Sequence, residues 1–345
     1  MTTGSVLVTG AAGFIGSHLV DHLLEDGADV VGVDDLSTGR LANLAAAEAH
    51  PAFRLVEVDI TTPEFRDLVA ETRPRAVLHL AAQMDVRKSV ADPLHDSRVN
   101  VVGTVNVLEA AVRSGVGRVV FASSGGTVYG APDALPVPED APLRPTAPYG
   151  AAKVAGECYV QMYARLYGLQ GTSLALGNVY GPRQDPHGEA GVVSIFARAL
   201  STGAPTTIYG DGTSSRDYVY VSDVVEAFVR CLDASARAER YNVGTGTATS
   251  VGELHDLLAQ IIGVAAEAAT APPRLGELQA ISLDSRLLAQ DTGWHASVSL
   301  AEGLRKTTAW VQSVLGSPED GPEREPRRAD GRRSPPGAGP PGARL

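Results

Sequence analysis

Tyr149 and Lys153 stand four residues apart in Pro148-Tyr149-Gly150-Ala151-Ala152-Lys153. In a helix that spacing puts a phenol and an ammonium on one face. A nearby ammonium favours phenolate over phenol, so the pair predicts a tyrosine acting as general base near neutral pH, with its pKa pulled down by the lysine. Lysine is scarce in this chain: Lys88, Lys153 and Lys306 are the only ones among 29 Lys plus Arg. A lysine in so Arg-biased a sequence suggests that a compact ammonium is required there. Upstream, Phe121-Ala122-Ser123-Ser124 reads as a strand that runs into Gly125-Gly126-Thr127-Val128-Tyr129-Gly130. Hydroxyls at the C-terminal end of a strand are where an open α/β sheet presents ligand-binding groups. Ser124 is the candidate hydroxyl partner of Tyr149, and Thr127 is the alternative.

A second constellation opens the chain. Val6-Leu7-Val8-Thr9 leads into Gly10-Ala11-Ala12-Gly13-Phe14-Ile15-Gly16, after which an amphipathic pattern begins. Gly10, Gly13 and Gly16 let the backbone turn and approach a pyrophosphate, while Phe14 and Ile15 open a helix whose N-terminus offers N–H groups and positive dipole. The spacing is Gly-x-x-Gly-x-x-Gly, a variant of the dinucleotide fingerprint. Asp34 ends the next strand, where a carboxylate would bond ribose hydroxyls and repel a 2′-phosphate, so NAD is favoured over NADP. The turn Asp35-Leu36-Ser37-Thr38-Gly39 follows it directly. Asp59, beside Ile60, is a candidate for the adenine amino group. Leu80-Ala81-Ala82-Gln83 offers small residues past which backbone approaches the cofactor.

These groups need a scaffold, and the apolar runs supply one. Val30-Val31-Gly32-Val33, Phe53–Val58, Ala76–Leu80 and Val119–Ala122 read as buried strands separated by helical patterns. Repeated βα units predict an α/β fold: a Rossmann-type doubly wound parallel sheet with a smaller C-terminal substrate-binding lobe. Residues 1–176 are expected to form the NAD-binding domain and 177–316 the lobe. Strands near 216–244, Tyr241-Asn242-Val243 among them, are expected to return to the sheet. Residues 317–345, rich in Pro, Gly and Arg, are expected to be a disordered tail.

Composition narrows the partners. The chain has 345 residues, 44% hydrophobic and 20% charged, enough for a full core, and a formal net charge of −11. That field disfavours nucleic acid and anionic membrane surfaces, so a diphosphate must be held by local donors. Cys158 and Cys231 are the only cysteines, and no cluster has metal-ligand spacing. No metal is expected, and the cytoplasm is the expected compartment.

Over residues 4 to 312 the motifs together resemble the extended short-chain dehydrogenase/reductases, and within them the UDP-glucose 4-epimerase group. The markers are the glycine loop, Val33–Gly39, His79–Gln83, Tyr149-x-x-x-Lys153, Gly177–Gln184 and Arg216–Val221. The resemblance implies that Asn100 lies in the nicotinamide region, that Asn178 and Val193 meet the sugar-nucleotide, that Arg216 and Arg274 bind its diphosphate, and that Glu277 meets the nucleoside ribose. It implies a hydride passed to bound NAD and back through a 4-keto sugar, with Tyr149 moving the proton, Ser124 assisting and Lys153 holding the nicotinamide ribose. Ile281 is expected near the sugar-pocket wall. A homodimer through the Lys153–Leu166 helix is implied as well. The sugar stays open among hexose, N-acetylhexosamine and uronate. A 4,6-dehydratase would want a carboxylate where Gly125-Gly126-Thr127 stands, and a non-catalytic NAD sensor would not need all three of Tyr149, Lys153 and Ser124.

Overall fold

The computed structural model describes residues 4–186, 191–232, 236–273 and 278–316. Six of its strands alternate with helices: β1 (Val6–Thr9), β2 (Val30–Asp34), β3 (Phe53–Glu57), β4 (Ala76–His79), β5 (Arg118–Ser124) and β6 (Gln170–Leu176). Then follow β7 (Asn178–Tyr180), β8 (Thr207–Tyr209), β9 (Ser215–Arg216), β10 (Tyr218–Tyr220) and β11 (Arg240–Val243). The main sheet has seven parallel strands in the order β11-β6-β5-β4-β1-β2-β3. The order reverses between β1 and β4, which opens a crevice outside their carboxyl ends, the place where such sheets bind ligands.

Alternation along β1 shows why both faces are covered. Val6 and Val8 join a cluster with Leu19, Val20 and Leu23 of the Phe14–Glu25 helix. Leu7 points the other way, to Val69, Val107 and Leu108 on the opposite layer. A period of two with apolar residues on both sides is what a parallel sheet between two helical layers demands.

The expected return strands divide. Arg240–Val243 joins the main sheet beside β6. The segments around Arg216 do not: β10 pairs with β7, and β9 pairs with Thr249-Ser250 in separate two-stranded ribbons. Tyr180, Tyr218, Tyr220, Phe196, Leu254 and Leu304 give these later elements a core of their own. The tail from 317 onward lies outside the described residues. Among those described, no helix is long and apolar enough to cross a membrane.

Candidate active site

The glycine loop crosses the crevice in close contact with the loop after β4. Gly10 has φ +71°, and a Cβ there would lie 2.8 Å from the Ala81 backbone nitrogen. A Cβ on Gly16 would lie 2.0 Å from the Gly10 carbonyl oxygen, so the turn exists only with glycine at both places. The Phe14–Glu25 helix starts at Gly13 with no side chain capping its N-terminus, leaving first-turn N–H groups for an anion. Phe14 and Ile15 pack into the core beneath, partly buried.

Asp34 is buried at the end of β2. Its Oδ2 accepts from the Ala12 N–H and its Oδ1 from the Leu36 N–H, each at 2.9 Å. Burial raises its pKa, and the two N–H donors oppose that shift. A Cβ on Gly39 would lie 2.6 Å from Asp34 Oδ1. Asp35, by contrast, folds back on Ser37, accepting from its N–H at 3.0 Å and its hydroxyl at 2.6 Å. Thr38 continues that turn. Arg40, the cation nearest this turn in sequence, is paired with Asp185 at 3.2 Å. Asp59 Oδ1 accepts from the Thr61 N–H at 2.7 Å, and the Ile60 side chain is in the core. A glycine cradle, an uncapped helix start and a buried carboxylate at the strand end fit a dinucleotide with free ribose hydroxyls.

Behind the cradle is a chain of polar contacts that links elements far apart in sequence. Thr9 Oγ1 accepts from the Leu80 and Ala81 N–H groups at 3.1 and 3.2 Å and contacts His79 Nδ1 at 2.8 Å. His79 Nε2 meets Thr104 Oγ1 at 3.1 Å, and that hydroxyl donates to the Asn100 carbonyl at 2.7 Å. Burial first, then the Lys153 charge, lower the His79 pKa to about 3, so the ring is neutral. Asn100 lies in the π-helical turn Arg98–Val102, a distortion often found at functional sites. Its side chain is spent on the loop: Oδ1 accepts from the Gln83 N–H at 3.0 Å, and Nδ2 donates to the Gln83 carbonyl and to Asp96 at 2.9 Å each. Asn100 therefore shapes the Leu80–Gln83 wall through Gln83; Ala82 lies within that wall.

Tyr149 and Lys153 occupy the first turns of the Pro148–Tyr167 helix, with Pro148 at its start. The Ser124 side chain is the polar neighbour that pulls the Tyr149 phenol toward ionisation, and the Tyr149 N–H donates to Ser89 Oγ at 3.2 Å. Lys153 is buried and donates to the Ala122 carbonyl at 2.9 Å, its nitrogen 5.6 Å from the Tyr149 ring centroid. The sequence predicts a phenol made acidic by Lys153. Here burial pushes the Tyr149 pKa above its ordinary value, Ser124 pulls it down, and Asp96 pushes it up. Desolvation also lowers Lys153 itself to about 8, against the raising influence of Asp96 and Glu157. The reason is that both groups have left water together.

Ser124 closes β5 and starts the short Gly125–Val128 helix. Thr127 Oγ1 turns back to the Ser124 carbonyl at 3.4 Å, while the Ser124 side chain is the hydroxyl that bears on the Tyr149 phenol. Asn178 Oδ1 lies near Gly126, 3.5 Å from where a Cβ would stand. Arg216 Nη1 donates to the Ser215 carbonyl at 2.8 Å. Val193 differs from expectation: its side chain is buried in the core with Phe196 and Leu200, so only its backbone remains for a ligand. Ile281 is likewise core, packed with Val128, Tyr129, Val137 and Leu283, not an open pocket wall. Arg274 and Glu277 lie outside the described residues. Sequence reasoning missed Thr9, Thr104 and Asp96, whose only signal is polar residues among apolar runs at strand ends and on short helices.

The arrangement matches known proteins along most of its length. Residues 6–244 match the model of the NAD dependent epimerase/dehydratase family. A UDP-glucose 4-epimerase of Mycolicibacterium smegmatis is 53% identical over 307 residues, covering 89% of this chain and 98% of that protein. Two solved structures superpose closely. A Thermotoga maritima UDP-glucose 4-epimerase with UDP-glucose has a TM-score of 0.86 at 42% identity, covering 90% of this chain and 99% of that one. A Thermus thermophilus UDP-glucose 4-epimerase in complex with NAD has a TM-score of 0.83 at 44% identity, covering 89% and 99%. With the glycine cradle, the Tyr149–Lys153 pair and this similarity in agreement, the chain belongs to the NAD-dependent epimerase/dehydratase family.

Proposed function

We propose that the protein inverts C4 of a UDP-hexose, interconverting UDP-glucose and UDP-galactose, with one NAD held through the turnover. The observation that carries this reading is the Tyr149–Ser124 hydroxyl pair, with Lys153 one turn away, at the carboxyl end of β5 beside the glycine cradle. The likeness to epimerases that hold UDP-glucose or NAD supports it.

Gly10, Gly13 and Gly16 would hold the pyrophosphate and Asp34 the adenosine ribose. NAD⁺, when bound, would supply the hydride acceptor and a positive charge to this site. Tyr149 takes the proton of the 4-hydroxyl as C4 becomes a ketone, and returns it when C4 is reduced on the opposite face. Ser124 shares that oxygen and lowers the cost of placing charge on it. The sugar must turn over between these events, so the site should anchor the diphosphate and grip the hexose loosely. Arg216, with Arg274, would be the anchor, with Glu277 on the nucleoside ribose and Asn178 and the Val193 backbone along the sugar-nucleotide. No carboxylate occurs from Ser123 to Tyr129 to expel water from C5–C6, which separates this site from a dehydratase.

The protein as we read it is a cytoplasmic homodimer. Leu94 (82% exposed), Leu166 (64%), Val90, Val102, Tyr159 and Met162 present apolar surface on the Tyr149 helix and the segments packed on it. A second copy of the same face would cover it. Cys158 and Cys231 are free thiols.

The test is NMR of the purified protein with UDP-glucose and no added cofactor, following the anomeric signals. UDP-galactose should form until equilibrium. An unchanged spectrum, with NAD present in the protein, would remove UDP-glucose as substrate and move the search to N-acetylhexosamine and uronate nucleotides.

A further inference from the structure

A buried carboxylate outside the expected catalytic set sits on a short helix packed against the Pro148–Tyr167 helix that carries Tyr149 and Lys153. Asp96, on the short Pro93–Ser97 helix, is fully buried. Its Oδ1 accepts from Gln83 Nε2 and Asn100 Nδ2, both at 2.9 Å, while its Oδ2 has no hydrogen-bond partner. An ionised carboxylate with one bare oxygen is costly away from water unless a cation lies near. From the geometry we propose that Asp96 is a positioning residue that sets the charge state of Tyr149 and Lys153 while it holds Gln83 and Asn100 in place. This deepens the epimerase reading and rests on it for the role of Tyr149.

The surrounding charges single Asp96 out. From the Pro148–Tyr167 helix, Tyr149, Lys153 and Glu157 contribute. Glu157 is also buried, but it accepts from the Arg240 guanidinium and the Ser123 hydroxyl, so its charge is already balanced. From β4 comes His79, neutral in its two-sided hydrogen bonding to Thr9 and Thr104. His95 on the same short helix, with Arg87, Lys88 and Arg98 on the flanking turns, is exposed and screened by solvent. Asp96 is thus the carboxylate near Lys153 that lacks an ion-pair partner of its own among the described residues. Its charge favours the Lys153 ammonium and opposes the Tyr149 phenolate. The result is a lysine kept protonated in a dry site and a tyrosine that ionises only when further positive charge arrives.

Asp96→Asn removes the charge while its amide oxygen can still accept from Gln83 and Asn100. Lys153 should then lose its proton at lower pH, and Tyr149 should ionise at lower pH. Both limbs of the kcat–pH profile are expected to move toward acid by roughly half to one unit. Asp96→Glu, which keeps the charge, should restore the limbs even where kcat is reduced. Asp96→Ser carries the same test if the asparagine variant does not fold. A second readout needs no turnover: the ultraviolet tyrosinate signal of the NAD-loaded protein, with the Tyr149→Phe signal subtracted, should titrate at lower pH in Asp96→Asn. An unmoved tyrosinate titration, or a lower kcat on an unmoved pH profile, would overturn the proposal and leave Asp96 a purely structural clamp. Failure of the wild-type protein to turn over any nucleotide-sugar would instead count against the epimerase reading, and the tyrosinate titration would still decide on Asp96.

Discussion

A Cβ on Gly125 would lie 2.5 Å from Leu283 Cδ1 and 3.1 Å from the Ala175 carbonyl oxygen. Position 125 therefore cannot carry a side chain without displacing a buried leucine, and the hydroxyls of β5 must end at Ser124.

The consequence is a contrast between two hydroxyls. Ser124→Ala removes the hydroxyl that pulls the Tyr149 phenol toward ionisation and should lower kcat by about 10- to 100-fold. Thr127→Ala removes a weak bond to the Ser124 carbonyl and should leave kcat within about threefold, since that hydroxyl lies off the reacting oxygen. Steady-state kinetics on both variants decides it, and equal losses would return Thr127 to candidacy.

Tyr149→Phe should retain the ring and its packing while removing the acid–base group. We expect kcat to fall by roughly 10²–10⁴-fold, with the Kd for UDP-glucose by calorimetry and the NAD content unchanged. Loss of binding in step with loss of turnover would assign the hydroxyl to anchoring the substrate instead.

His79 makes acid stability a readout of the polar chain behind the cradle. Its pKa in the folded protein is about 3, against 6.5 for the free side chain. Between those values the unfolded chain holds a proton on this residue that the folded chain does not. The His79 contribution is therefore complete above pH 6.5 and is lost as pH falls below it, by about 1.4 kcal/mol per unit. Urea midpoints between pH 7 and pH 5 should fall more steeply for the wild type than for His79→Asn. Parallel slopes would mean that the ring is protonated in the fold.

How much of this could be read from the chain depends on what each residue answers to. Gly10, Gly16 and Asp34 are legible because they answer to local backbone demands: a turn, a close approach, a strand end. Tyr149 and Lys153 are legible because a helix fixes their spacing. The Thr9–His79–Thr104 chain is not, since its members are 70 and 25 residues apart and none is unusual alone. Asp96 escapes notice because an aspartate on a short helix after proline reads as capping chemistry. The expected acidity of Tyr149 fails for a different reason: spacing shows which charge is near but not how much water is lost. Val193 and Ile281 fail in the same way, because a resemblance gives a residue's neighbourhood and only packing gives the direction of its side chain.

Asp34 offers the sharpest test of cofactor choice. Both of its oxygens already receive a backbone N–H, from Ala12 and Leu36 at 2.9 Å. Asp34→Asn must therefore turn an NH₂ group toward one of those donors, or flip and leave one unpaired. Either outcome should cost about 1–3 kcal/mol, so NAD should bind roughly 10- to 100-fold more weakly. NADP should gain relative to NAD, because the charge that repels a 2′-phosphate is gone. The gain should stay modest in absolute terms, since Arg40 is paired with Asp185 and is not presented for that phosphate. Adding Asp185→Asn to Asp34→Asn removes the ion pair that Arg40 makes with Asp185 and should raise NADP affinity further. Calorimetric titration of the two cofactors into both variants measures this directly. A double variant no better for NADP than the single one would show that Arg40 cannot reach the 2′ position, and that Asp34 alone governs the choice.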